Sequence, residues 1–150
     1  MIYLSATASG AMEYINTFRN TGYADSPQNR PLIETVAMAK AKLELQRAKH
    51  ELDNVSDHNR LGYDLECTGH CYAVFEIKGM GQPRDVELPV SETDAAQKLG
   101  ENFHLVFVYN IPNSPDKISY KIVKNPAGCS LLEPVETSKI SSDKWMNADP

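Results

Sequence analysis

The stretch GYDLECTGHCYAVFEIKG, residues 62–79, decides how this sequence folds. Two strand-like runs, YDLEC and YAVFEIKGM, flank a short Thr-Gly-His segment, which predicts a β-hairpin. If the turn has three residues, Cys67 pairs with Cys71 and Asp64 pairs with Val74. The register of this hairpin then determines which side chains meet.

Side chains alternate between the two faces of a strand, and this alternation sorts the residues of the hairpin. One predicted face is mainly charged and carries Asp64, Glu66, Val74, Glu76 and Lys78. The other is mainly apolar and carries Tyr63, Leu65, Cys67, Cys71, Ala73, Phe75 and Ile77. Asp64 becomes a diagonal neighbour of Glu76, within reach of a shared ion.

The cysteines of the hairpin are the first candidates for chemistry. Zinc sites need four ligands, usually in two closely spaced pairs. Cys67, His70 and Cys71 lack a second pair, since Cys129 stands alone far downstream. We therefore expect Cys67 and Cys71 to pack as small apolar residues. A small zinc or redox protein that uses these three residues is an alternative.

The charged face offers a different chemistry. Converging carboxylates repel each other when no cation is bound, and Lys78 would offset part of that repulsion. Hard oxygen ligands such as those of Asp64 and Glu76 suit Mg²⁺ or Mn²⁺. The alternative is a solvated polar face on a half-exposed strand, because an E-x-K triplet is common in any sequence.

A long helix precedes the hairpin. Apolar residues recur at helical spacing from Leu32 to about Lys49. Asn29 is a candidate N-cap, and Pro31 stands near the first helical position, where its missing N–H is tolerated.

Strand signals dominate the rest of the chain, at residues 51–55, 85–90, 103–111 and 118–125. A second helix is predicted over 91–102, opening with Ser91 and Asp94 in capping-box spacing. This order predicts an α/β fold with a central mixed β-sheet flanked by helices. We assign 1–30 to an N-terminal appendage or linker, 31–126 to the core domain and 127–150 to a C-terminal extension.

The composition is that of one ordinary globular domain, with 150 residues, 41% hydrophobic and 23% charged. No apolar run reaches the roughly 20 residues that span a bilayer, so we expect no membrane association. Three cysteines and no secretory signal favour a reducing compartment, and we expect a cytoplasmic protein. The net charge of −5 argues against a protein whose surface is covered by nucleic acid. It does not exclude local contact, because the carboxylates of a metal site are themselves acidic until a cation binds.

The pattern D-x(11)-E-x-K across a hairpin, after a helix that carries Glu34, resembles the PD-(D/E)XK nuclease fold. More narrowly, residues 32–125 resemble the domain found at the C-terminus of the plant protein NO VEIN. The matching pieces, in order, are LIETVAMAKAKLELQ, DNVSDHNRLGYDLEC, FEIKGMG, VELPVSETDAA and FHLVFVYNI. Pro89 departs from the family pattern, as does the lack of a glycine after the first helix.

The resemblance implies a role for each matching position. Asp64 and Glu76 would hold the divalent metal, with the main-chain carbonyl of Ile77 as a further ligand. Lys78 would position or activate the attacking water and offset charge on phosphorus. Glu34 matches a helix acid that serves as an additional metal or water ligand. Glu92 matches an acidic position of unknown role.

The resemblance thus implies a Mg²⁺- or Mn²⁺-dependent endonuclease that cleaves DNA in restriction, defence or repair. Candidate phosphate contacts are Lys98, Arg84, Arg60 and Lys40. Because the chain is acidic, we expect DNA affinity to come from a partner domain or subunit, or from a symmetric homodimer. The alternative is a non-catalytic module of the same fold that binds nucleic acid or protein within a larger assembly.

Overall fold

A computed structural model describes residues 29–48, 52–54, 61–67, 72–111, 117–128 and 138–149. The predicted appendage therefore lies outside the described residues, apart from its last two positions. Arg60, His70, Cys71 and Cys129 also lie outside them.

Helix α1 spans Arg30–Arg47 and confirms the predicted long helix. Its buried stripe repeats at three- and four-residue spacing and consists of Ile33, Val36, Ala37, Lys40, Ala41 and Leu45. Asn29 occupies the N-cap position, but its side chain makes no capping bond, so that expectation was wrong. Its main-chain carbonyl instead accepts the N–H of Ile33 at 2.9 Å.

The described residues contain seven strands: β1 (Leu52–Asn54), β2 (Leu65–Cys67), β3 (Ala73–Gly79), β4 (Val86–Leu88), β5 (Phe103–Tyr109), β6 (Ser119–Lys124) and β7 (Ser138–Ile140). The first six follow the predicted runs, whereas β7 was not predicted. Five of them form one sheet in the order β1-β2-β3-β5-β6. Only β3 and β5 pair in parallel; the other neighbours in this sheet are antiparallel. The predicted mixed sheet of an α/β fold is confirmed.

The hairpin of β2 and β3 has a different register from the predicted one. Cys67 pairs with Ala73 rather than with Cys71, and Glu66 rather than Asp64 pairs with Val74. The predicted register was wrong by two residues because the connection is longer than the assumed three-residue turn. A shift of two residues preserves the alternation of side chains, so the charged and apolar residues still separate by face.

Each face of the sheet covers its own apolar cluster. Under α1 lie Leu65, Cys67, Ala73 and Phe75, with Cys67 fully buried. The opposite cluster includes Val74, so the two predicted faces are confirmed within the strands. Tyr63 is the exception, because it precedes β2 and packs against the opposite cluster.

Helix α2 spans Val90–Leu99 and covers the second face of the sheet. It begins one residue before the predicted cap, with Pro89 at the N-cap position and no capping side chain. The expected capping box of Ser91 and Asp94 was therefore wrong. The carbonyl of Pro89 accepts the N–H of Thr93 at 3.0 Å and starts the helix.

The described part of the predicted C-terminal extension packs onto the same core. Strand β7 pairs with β4, and helix α3 (Ser142–Met146) follows it. Trp145 on α3 is fully buried and stacks on Phe107 with ring centroids 4.3 Å apart. Its indole N–H donates to the Arg84 carbonyl at 2.9 Å, so this segment fixes the chain just before β4. Within the described ranges, no helix is long and apolar enough to cross a membrane.

Gly79 sets how closely α1 approaches β3. A Cβ atom at this position would lie 2.5 Å from the Ala37 Cβ, closer than real contacts allow. We expect Gly79→Ala to lower the free energy of unfolding by about 1–3 kcal/mol through overpacking. Ala37→Gly alone should cost about 1 kcal/mol of helix propensity. In the Gly79→Ala background, Ala37→Gly should instead recover stability, because it removes the methyl group that the new side chain meets. If urea denaturation shows that the free-energy changes of the two single variants simply add in the double variant, the close approach is contradicted.

Trp145 tests whether the C-terminal segment belongs to the core. Trp145→Ala should lower the free energy of unfolding by about 3–5 kcal/mol, because it empties a fully buried site. The neighbouring Met146 is 38% exposed, and Met146→Ala should change stability by less than about 0.5 kcal/mol. Equal urea midpoints for the two variants would show that this segment contributes little to the fold.

Candidate active site

The candidate site forms at the start of β2, where β3 runs on past Phe75 to Gly79, still paired with β5 but no longer with β2. Asp64 directly precedes β2, and its N–H still donates to the Phe75 carbonyl at 2.9 Å. The next N–H of β3 on this side, that of Ile77, has no main-chain partner in β2. It donates instead to Oδ2 of the Asp64 carboxylate at 2.9 Å. This bond places the Asp64 side chain beside β3, between the positions of Glu76 and Lys78.

The main-chain carbonyl of Ile77 lies at the same edge. In an extended strand the N–H and C=O of one residue point toward the same neighbour. Because the N–H of Ile77 points to Asp64, its carbonyl is directed to the edge that β2 leaves open. The structure thus brings together two of the predicted metal ligands, the Asp64 carboxylate and the Ile77 carbonyl.

Glu76 and Lys78 project from the same face of β3, toward the start of α2. Lys78 Nζ lies 3.5 Å from Glu76 Oε1 and 2.5 Å from Glu92 Oε1. Glu92 stands in the first turn of α2, so this ion pair connects the helix to the strand. All three side chains are largely shielded from solvent, with side-chain exposures of 9% for Glu76, 15% for Glu92 and 19% for Lys78.

Gly62 allows the chain before Asp64 to lie against the start of α2. Its φ of +78° falls in the left-handed region, and a side chain here would collide with the main-chain oxygen of Ser91. The close approach brings Asp64 and Glu92 to the same region. Gly62 in GYDLE and Gly79 in EIKG therefore both serve the packing around the site.

The electrostatics of the site follow from burial. The pKa of the Glu76 carboxyl is raised to about 10, chiefly by desolvation; Lys78 opposes the rise, and the nearby Asp64 and Glu92 carboxylates add to it. Burial opposes the charge of Lys78, but Glu76 and Glu92 outweigh it and raise the pKa of the ammonium. The site therefore favours a charged Lys78 and the protonated form of Glu76 until another positive charge is bound.

A cleft of about 1120 Å³ opens above these residues. Asp64, Glu76 and Lys78 lie at its base, and Glu92 also borders it. Glu34 is exposed on the wall formed by α1, so the structure places all four predicted catalytic residues around one cleft. Residues of both α1 and α2, on opposite faces of the sheet, border the cleft because β2 does not cover this end of β3.

The residues predicted to contact phosphate, unlike the predicted catalytic residues, do not all line the cleft. Arg84 is exposed and lines the cleft. Lys40, expected on the surface, is buried and pairs with Glu44 at 2.9 Å, so it is unavailable to a ligand. Lys98 is exposed on α2 but does not line the cleft.

Sequence reasoning named Glu92 without giving it a role, and it did not find the Asp64–Ile77 bond. An acidic residue in the first turn of a helix usually needs no explanation beyond the helix dipole. Only the packing of α2 against β3 shows that Glu92 holds Lys78. The bond to Ile77 depends on where β2 ends, which the sequence pattern did not define.

The oxygen donors suit a hard cation better than zinc. No group of three or more His, Cys, Asp or Glu side chains in the described ranges could hold a metal by itself. Zinc sites need such a group, whereas Mg²⁺ is usually held by one or two carboxylates with water completing its octahedron. Asp64, Glu76 and the Ile77 carbonyl match that second pattern, and the buried Glu76 carboxyl lacks a full counter-charge.

Comparison with known proteins identifies the family of the chain. The family model described as Protein NO VEIN, C-terminal, matches residues 33–122, which is more than half of the chain. The chain belongs to this family. The matched region contains Glu34, Asp64, Glu76, Lys78 and Glu92, but ends before β7 and Trp145. No curated protein and no solved structure shows significant similarity to the chain.

The burial of Glu76 predicts an unusual pH dependence for the metal-free protein. The unfolded chain loses this proton near pH 4.5, whereas the folded chain keeps it to about pH 10. Stability from this group is therefore complete below pH 4.5 and falls as the pH rises toward 10. Lys78 is charged in both states across most of this range and adds little slope.

We expect the free energy of unfolding in EDTA to fall between pH 5.5 and 8.5, with a contribution from Glu76 on the order of 1 kcal/mol per pH unit. Glu76→Gln should remove that contribution, and the same change at the exposed Glu101 should not. The measurement is urea denaturation at several pH values. Identical slopes for wild type and Glu76→Gln would show that Glu76 ionises normally in the fold.

Proposed function

We propose that this chain is a Mg²⁺- or Mn²⁺-dependent endonuclease of the PD-(D/E)XK type that cleaves DNA in restriction, defence or repair. The observation that carries the proposal is the convergence of Asp64, Glu76 and Lys78 at the open edge of β3, inside one cleft. Burying a carboxyl beside two others disfavours its charged form unless a cation compensates. A domain that only binds a partner has no need of such a cluster.

The proposed metal ligands are the carboxylates of Asp64 and Glu76 and the carbonyl of Ile77. The bond from the Ile77 N–H fixes one oxygen of Asp64 and leaves its other oxygen available. A bound Mg²⁺ would lower the pKa of a coordinated water and neutralise charge on the phosphate. Glu76 would release its proton on binding the cation, because the added positive charge stabilises its carboxylate form and lowers its pKa.

Lys78 supplies the fixed positive charge of the proposed reaction. Water attacks phosphorus in line, the P–O3′ bond breaks, and the products carry a 5′-phosphate and a 3′-hydroxyl. Lys78 orients the attacking water and stabilises the negative charge that develops on the phosphate oxygens. Glu92 holds the ammonium in place through their short ion pair, so it is a positioning residue.

Glu34 has a different environment from the other carboxylates. It is solvent-exposed on α1 and lines the same cleft. An exposed carboxylate at this wall can order water or accept the proton that the attacking water releases. In the proposed mechanism it assists and is not a primary ligand.

Plasmid cleavage tests the proposal directly. We expect purified protein to nick or cut plasmid DNA with Mg²⁺ or Mn²⁺ and to leave it intact in EDTA. Asp64→Ala and Lys78→Ala should each lower the rate by a factor of about 100 or more, because each removes a group that acts in the transition state. Lys117→Ala, which changes an exposed lysine outside the cleft, should cleave like wild type.

Three outcomes would contradict this function. Intact DNA with every divalent metal, together with metal-independent DNA binding, would favour the non-catalytic module. Stoichiometric zinc in the native protein would point instead to the thiols. Cleavage that survives in Asp64→Ala would indicate a contaminating nuclease.

A further inference from the structure

One face of α1 forms a continuous wall of the cleft. The cleft-lining residues Arg30, Glu34, Met38 and Lys42 recur every four positions along the helix. Arg30 and Lys42 are twelve residues apart, which at 1.5 Å per residue is about 18 Å. The cleft is therefore a trough that follows α1 for more than three turns.

The candidate metal site shares this trough with α1. Asp64 and Glu76 line the same cleft as Arg30 and Lys42. Gly79, at the end of β3, lies against Ile33 and Ala37 of α1, which fall between Arg30 and Lys42 in the helix. The strand that carries Glu76 therefore meets α1 between these two cations.

Three of the cations that line the trough form no ion pair within the described part of the chain. These are Arg30, Lys42 and Arg84, whereas Lys78 pairs with Glu76 and Glu92, and Lys40 and Arg47 are both bound to Glu44. Arg84 lines the cleft from the segment just before β4. Three unpaired cations around one trough are available to an anionic ligand.

The charge balance of the trough makes such a ligand dependent on metal. Its lining carboxylates are Glu34, Asp64, Glu76, Asp85, Glu87 and Glu92, and its lining cations are Arg30, Lys42, Lys78 and Arg84. With every carboxyl ionised, as in the metal-bound state, the formal excess is two negative charges, which one divalent cation cancels; with Glu76 protonated, the metal-free trough still carries an excess of one negative charge. Without the cation, the trough repels a polyanion.

We propose that this trough binds one strand of DNA along α1 through its phosphates, with Arg30 and Lys42 contacting phosphates toward the two ends of the trough and Arg84 contacting a further phosphate. A length of about 18 Å corresponds to about five nucleotides at ~3.4 Å per nucleotide along one strand. The site therefore requires a strand of this length and not a mononucleotide. This inference rests on the proposed function.

The test measures fluorescence anisotropy of labelled single-stranded DNA with the Lys78→Ala protein in Mg²⁺, since this variant retains the proposed metal ligands. Affinity should rise from a 2-nucleotide probe to one of about six nucleotides and then level off. Arg30→Ala and Lys42→Ala, each added to this background, should weaken binding of a 12-nucleotide probe about tenfold. Each should also reduce the slope of log affinity against log salt by about 0.7. Lys117→Ala should change neither quantity.

Three results would overturn the assignment: equal affinity for 2- and 12-nucleotide probes, equal affinity in EDTA and Mg²⁺, or the same loss with Lys117→Ala as with Arg30→Ala. A plasmid assay of the wild type, run in parallel, separates the two proposals. Binding as described without wild-type cleavage refutes the proposed reaction and leaves the strand-binding trough. Cleavage with undiminished DNA affinity in the Arg30→Ala and Lys42→Ala proteins refutes the trough and leaves the reaction.

Discussion

The hydrogen bond from the Ile77 N–H to the Asp64 carboxylate is the contact on which the candidate site depends. It forms because β2 pairs with β3 only as far as Phe75, which leaves the main-chain groups of β3 beyond that residue without a partner strand on the β2 side. A carboxylate fills part of that gap and is held rigidly at the edge of the sheet. The same gap exposes the Ile77 carbonyl and opens the cleft to both helical layers.

Around this edge the protein concentrates charge that it does not neutralise. Lys78 lies between Glu76 and Glu92, and Asp64 adds a third carboxylate. Burial makes the charged form of Glu76 unfavourable, so the metal-free fold carries electrostatic strain at this point. Such strain is expected where binding of a cation supplies the missing charge.

Local patterns were sufficient to predict the helix over α1, the strands β1 to β6 and the side-chain faces of the hairpin. They placed Asp64, Glu76 and Lys78 near one another, because alternation along a strand survives a register shift of two residues. Glu34 was added by the family resemblance and not by these patterns. They failed where tertiary contacts decide the outcome. The Glu92–Lys78 pair needs α2 packed on β3, and the role of Trp145 needs β7 paired with β4. The capping predictions at Asn29 and Ser91 failed for local reasons. Asn29 is the N-cap of α1, but Pro31 in the first turn has no N–H for its side chain to accept. Ser91 lies inside α2, which begins at Val90, so it cannot be the N-cap.

The most direct test of this account is the position of a bound metal in a crystal soaked with Mn²⁺, located by its anomalous scattering. We predict one peak at the open edge of β3, bonded to Asp64, Glu76 and the carbonyl oxygen of Ile77. In the Asp64→Ala protein this peak should disappear while the fold is retained. A metal bound elsewhere, or an Asp64→Ala crystal with the same peak, would contradict the assignment of this edge as the metal site.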